Sequence, residues 1–171
     1  MRRRTENEKK AMGLITPILR EINIKQATRG YVPLVDVLCY AYANPMATFQ
    51  KAMKELMAGN YYVGVKRDEE VDYVEERYQQ AVNQRFTIYP SMRRCIITGL
   101  ERTDKEVLVR YDLEKLTIIL EAWNPKEDEK ANECFFKAIG NRYARYDTYE
   151  ERVIVYFCHK ILNYIGCKTE L

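Results

Sequence analysis

His159 is the only histidine and Ser91 the only serine in the chain, so base-assisted nucleophilic chemistry has almost nothing to draw on. Cys158 precedes His159 in a strongly helical stretch. Neighbouring positions on a helix point about 100° apart, so the two side chains do not pair as nucleophile and base. Ser91 follows Pro90 with no supporting motif. Phosphate-binding G-x-x-x-x-G-K-[ST], dinucleotide-binding G-x-G-x-x-G and zinc-binding H-E-x-x-H are all absent from the sequence. Glu69-Glu70 and Glu75-Glu76 suit the positive end of a helix better than an acid and base dyad. The five cysteines, Cys39, Cys95, Cys134, Cys158 and Cys167, are widely spaced and form no C-x-x-C pair, which argues against a disulfide framework and a zinc knuckle. A metal site built from acids alone is left open. The fourteen tyrosines are read as amphipathic packing residues, because no Arg and His constellation accompanies any of them. The expectation is a protein that is not an enzyme and holds no cofactor or metal ion.

A different set of side chains suits nucleic acid. Lys66 and Arg67 precede a polar stretch carrying Arg77, Gln79, Gln80 and Asn83, and Arg2, Arg3 and Arg4 form a basic arm at the start. Cations of this kind reach phosphates, while Gln and Asn read base edges, Gln pairing bidentately with adenine. For each residue alone, a solvated surface charge is the simpler account; the arrangement carries the case. Arg93 and Arg94 form a second basic pair of unassigned direction.

These residues need elements to position them. With 171 residues, 47% hydrophobic and 31% charged, the chain is a globular protein of one large or two small domains. No apolar run approaches the roughly 20 residues of a membrane helix, and no signal-peptide core follows the basic start, so a cytoplasmic protein is expected. Net charge is only +3, yet residues 1–30 hold eight Lys or Arg against three acids.

Thr5 and Glu8 form a possible capping box for a helix to about Ile22, through Met12, Ile15, Ile18 and Leu19. A connection ends at Gly30, and a second helix runs from about Val32 to Ala43. Asn44-Pro45 is expected to start a third, from Pro45 to about Met57, with Phe49, Ala52, Met53 and Leu56 inward. GNYYVGVK, residues 59–66, reads as a turn or short wing. From Asp68 to Phe86, Val71, Val74, Tyr78, Val82 and Phe86 make one apolar stripe on an otherwise polar helix. Helix, helix, turn, helix is the order of a helix-turn-helix.

Pro90 is the expected internal boundary, separating residues 1–89 from a second helical region, 90–171. Thr103 and Glu106 are another possible capping box, and Val107 to Tyr111 fits either a strand or a helix. Leu113, Leu116, Leu120 and Trp123 mark a helix that Asn124-Pro125 ends. Thr148 and Glu151 cap a last helix with Val153, Phe157, Ile161 and Ile165 inward and Gly166 as its stop. Tyr31 and Asn44-Pro45 recur 80 residues later as Tyr111 and Asn124-Pro125, and Glu75-Glu76-Arg77 recurs as Glu150-Glu151-Arg152. Either a diverged duplication or capping chemistry accounts for the echo. The fold class is all-α.

ITPILREINIKQATRGY, residues 15–31, resembles the opening of the C-terminal effector domain of the stage 0 sporulation protein A family. That family begins with I-T-x-I-[IL]-x-E-I-G and then a Gly-Tyr. Ile15, Thr16, Ile18, Leu19, Glu21, Ile22, Gly30 and Tyr31 fall on the pattern, Leu34 and Pro45 continue it, and Val74, Glu75, Tyr78, Ala81 and Val82 resemble its recognition helix. The resemblance spans residues 10–88. It implies an all-helical domain whose recognition helix enters the major groove, with Glu75 among its DNA-facing residues. Where the family has Arg after that Glu, and Arg and His further on, this chain has Glu76, Gln79 and Gln80. A glutamate there repels phosphates and accepts only from a cytosine amine. The family's phospho-acceptor receiver is not expected here.

The leading expectation is a sequence-specific double-stranded DNA-binding transcriptional regulator acting as a homodimer, of bacterial, phage or mobile-element origin. The alternative is a phage or mobile-element module that binds a host protein complex instead of DNA. Glu75, Glu76 and the apolar last helix favour that alternative, a duplication placing Ile154 and Val155 on the outer side of that helix.

Overall fold

The computed structural model describes residues 3–60, 88–117, 143, 146 and 149–171. Those residues form α-helices joined by turns, and the fold is all-α: α1 (Glu6–Glu21), α2 (Tyr31–Ala43), α3 (Phe49–Asn60), α4 (88–101), α5 (Lys105–Arg110) and α6 (Tyr149–Tyr164), with a further helical turn at 114–117. The stretch from Asp68 to Phe86, and Leu120, Trp123 and Asn124-Pro125 of the expected later helix, lie outside the described residues.

α2 is the helix the others pack on. Ten of its thirteen residues are buried, and it contacts α1, α3 and α6. A helix apolar on every side has no single stripe, so its sequence marks the element without marking its central place. α1 is amphipathic, as its spacing requires: Ala11, Ile15, Ile18 and Leu19 are buried against α2, and the Thr5 hydroxyl accepts from the Glu8 backbone N–H at 3.2 Å. Pro17 sits inside α1 on its exposed side, four residues after Gly13, whose carbonyl therefore meets no N–H from the following turn.

Three helices end in the same way. In α1, Asn23 takes φ 60° while its N–H bonds to Arg20 O and the next N–H, of Ile24, bonds to Leu19 O. In α5, Asp112 takes φ 58°, with bonds from Asp112 to Val109 and from Leu113 to Leu108. In α6, Gly166 takes φ 78°, with bonds from Gly166 to Asn163 and from Cys167 to Leu162. Each is a Schellman stop, which satisfies orphan carbonyls by placing one residue in the left-handed region. Gly166 was legible as such a stop; Asn23 and Asp112 use the tolerance of short polar side chains for the same geometry.

Two expected helix starts move. α3 begins at Phe49, because Thr48 caps it through its hydroxyl to Lys51 N (3.2 Å), and the Pro45 carbonyl accepts from Glu170 N at 2.7 Å. α5 has Asp104 at its N-cap, while the Thr103 hydroxyl donates to Gly99 O (2.8 Å) or Ile22 O (2.9 Å). Residues 107–110 are helical, which decides between the two states open for them. A third correction concerns α6: Ile154 and Val155 are 0% exposed, so they belong to the core and offer no interface. Residues on both sides of position 90 share that core, and α4 runs through Pro90 without a break.

The cysteines of the described residues are free thiols, with Cys39, Cys95 and Cys158 buried and Cys167 half-buried. Burial pushes the Cys39 thiol up to about 12 and raises those of Cys95, Cys158 and Cys167. Because the thiolate is the reactive form, iodoacetamide is expected to label Cys167 before Cys39, Cys95 and Cys158, which react only as fast as the protein opens. Peptide mass spectrometry over time checks this. Equal labelling of Cys158 and Cys167 in native buffer would contradict the packing of α6.

Candidate functional site

Arg3 is exposed ahead of α1. Arg4 turns inward. Its Nη2 donates to Asp36 Oδ1 at 2.8 Å, bridging the start of α1 to the middle of α2. Asp36 is 5% exposed and Glu8, one turn into α1, is 0% exposed; both act electrostatically on the Cys39 thiol, as does Arg4. The guanidinium thus pairs with the buried carboxylate of Asp36, and its charge is committed to the fold. Arg2, Lys66, Arg67, Glu75, Arg77, Gln79, Gln80 and Asn83 lie outside the described residues.

The connection between α1 and α2, residues 22–30, is the most constrained irregular segment described. Asn23 Nδ2 donates to Arg102 O (2.9 Å) and to Thr103 Oγ1 (3.2 Å). Thr28 Oγ1 donates to Lys25 O at 2.6 Å and lies 3.0 Å from Cys95 Sγ. A Cβ on Gly30 would stand 2.3 Å from Ser91 O, and one on Gly99 would stand 2.9 Å from Ile22 O, so both glycines are places where backbones meet. Glu21 receives Arg110 on one carboxylate oxygen and the Tyr111 hydroxyl on the other, the latter at 2.5 Å. Burial, then the bond to Glu21, holds the Tyr111 phenol above its ordinary pKa, so it stays a donor.

No protein-family model, curated protein or solved structure matches this chain.

The inner face of the connection is therefore fixed to α4 and α5. Its outer face borders a pocket that Arg20, Lys25 and Tyr31 help to line. Sequence reasoning passed over this place, although residues 20–31 contain three cations and one acid, Glu21, which the fold engages elsewhere. α4 and α5 therefore leave the cations of this stretch to the solvent side.

The other chemistry-bearing residues among those described lie apart from this pocket. His159 is buried in α6, its Nδ1 2.8 Å from the Tyr143 hydroxyl, and its ring packs on that of Tyr143 with centroids 5.5 Å apart. Ser91 is half-buried in α4, against Gly30. Arg93 lies 3.8 Å from Glu150, linking α4 to the first turn of α6, while Arg94 is exposed. Among the described residues no group of His, Cys, Asp and Glu is placed to hold a metal ion, and no helix is long and apolar enough to cross a membrane.

Proposed function

We propose that this chain is a double-stranded DNA-binding transcriptional regulator of the helix-turn-helix kind, related to the effector domain of the sporulation regulator. The observation that carries the reading is the form of the α1–α2 connection. α1 closes on Asn23 in the left-handed region, at the position where the family pattern I-T-x-I-[IL]-x-E-I-G carries its glycine, and Gly30-Tyr31 then opens α2. The backbone requirement is met by a different residue, which explains how the pattern survives the substitution.

α2 and α3 follow in the order a helix-turn-helix needs, and residues 68–86 are assigned to the recognition helix. Lys66, Arg67 and Arg3 meet phosphates in this reading, and Gln79, Gln80 and Asn83 meet base edges. The regulator acts in the cytoplasm as a homodimer on a two-fold site. The protein-binding alternative loses one of its supports, because Ile154 and Val155 are core residues; Glu75 and Glu76 remain in its favour.

Selection of bound duplexes from a random pool tests the assignment. An enriched motif is expected, and Gln79→Ala or Gln80→Ala should relax one position of it by about 1–3 kcal/mol. Lys66→Ala should weaken every duplex alike. A pool that returns no motif, with wild type and variants indistinguishable, would remove the regulator in favour of the protein-binding module.

A further inference from the structure

We infer that the outer face of the α1–α2 connection is an oxyanion site that takes a phosphoryl group. The pocket there has a volume of about 480 Å³, and its lining includes Thr16, Arg20, Lys25, Gln26, Tyr31 and the apolar Ile24. That size lies in the range of small-ligand sites. Its polar groups are hydroxyls, amides, a guanidinium and an ammonium, and no carboxylate lines it.

The nearest acid in sequence, Glu21, is held by Arg110 and Tyr111. Arg20 and Lys25 are exposed and make no ion pair among the described residues. The backbone N–H groups of Lys25, Gln26 and Ala27 donate to no protein acceptor there either. Consecutive free N–H groups in a turn are a usual element of anion sites.

The floor is rigid. The Schellman stop at Asn23, its amide bonds to Arg102 and Thr103, and the bond from Tyr31 N to Thr28 O (3.1 Å) fix the segment before any ligand arrives. Preorganisation of this kind spares the ordering of a loop on binding.

A guanidinium and an ammonium meet the charge of one phosphate monoester or of two adjacent phosphodiesters, and the donors of the pocket suit the several oxygens that either presents. The pocket is larger than a phosphate, and Ile24 offers an apolar surface for the group that carries it. The phosphoryl group comes from one of two sources: a free nucleoside monophosphate, or the phosphodiester backbone of a polynucleotide. The inference does not depend on the DNA-binding reading above.

Amide NMR of the isotope-labelled full-length chain tests it, with inorganic phosphate, adenosine monophosphate, adenosine and a random-sequence duplex as probes at one low salt. Adenosine monophosphate or the duplex should shift the resonances of Ile24 to Thr28, and adenosine should not. Arg20→Ala and Lys25→Ala should each weaken the effect about tenfold with the rest of the spectrum unchanged. Shifts from the duplex alone assign the phosphoryl group to a polynucleotide; shifts from the monophosphate alone assign it to a free nucleotide and leave the DNA reading, which rests on other residues, to its own test. No shift from any phosphate-bearing probe, or shifts that persist undiminished in both variants, overturn the site.

Discussion

Gly30→Ala is expected to lower stability by about 3 kcal/mol, at the upper end of what overpacking usually costs. The added Cβ would lie 2.3 Å from Ser91 O, 2.5 Å from Ser91 C and 2.6 Å from Met92 N. All three are backbone atoms, so no side-chain rotation relieves the contact, and either α4 or the start of α2 must move. For a chain of this length the midpoint of thermal unfolding should fall by roughly 6–12 °C. Gly13→Ala supplies the contrast: nothing lies within 4 Å of its Cβ, and Gly13 is in a helix. Replacing a helical glycine should raise stability by roughly 0.5–1 kcal/mol. Calorimetry on the two variants reads opposite signs if α4 lies against the α1–α2 connection, and a neutral Gly30→Ala would show that it does not.

Arg4→Ala comes next in size, with a loss of about 2 kcal/mol. Breaking a buried ion pair typically costs about 3–5 kcal/mol, and the value is reduced here because the Arg4 side chain is 32% exposed. The variant removes the cation nearest Asp36 while Glu8 remains fully buried one helix away. Asp36→Asn in the same background should recover part of the loss, which a double-mutant cycle by chemical denaturation measures. Arg3→Ala, at an exposed position, should change stability by less than about 0.5 kcal/mol. The two adjacent arginines thus divide, Arg4 holding the fold and Arg3 contributing little to it; equal effects of the two variants on stability would refute that division.

Local signals were the ones legible in the sequence. The cap at Thr5, the stripe of α1, the stop at Gly166 and the inward set of α3 each follow from spacings of three or four residues, and the structure has them. Competition between neighbouring signals was not legible. Thr48 captures the start of α3 from Asn44-Pro45 because the Pro45 carbonyl serves Glu170, far along the chain. Thr103 gives its hydroxyl to the Gly99 carbonyl four residues back or to the Ile22 carbonyl, which the meeting of α1 and α4 brings near. The duplication reading places Ile154 and Val155 outward, but α6 is buried along its middle from Val153 to His159. A helix in that position has no outer face there. The Arg4–Asp36 pair joins residues on separate elements, and the capping spacing that marks Glu8 locally does not show that it is fully buried.

The central claim is that the chain binds duplex DNA through phosphates and bases. Fluorescence anisotropy with pooled random duplex, repeated across a salt series, measures it most directly. With Arg3, Lys66 and Arg67 on the backbone, the logarithm of the binding constant should fall against the logarithm of salt with a slope of roughly −3 or steeper. Gln79→Ala and Gln80→Ala should leave that slope unchanged while weakening binding to selected sites. Absence of binding at low salt, or binding indifferent to salt, would contradict the claim.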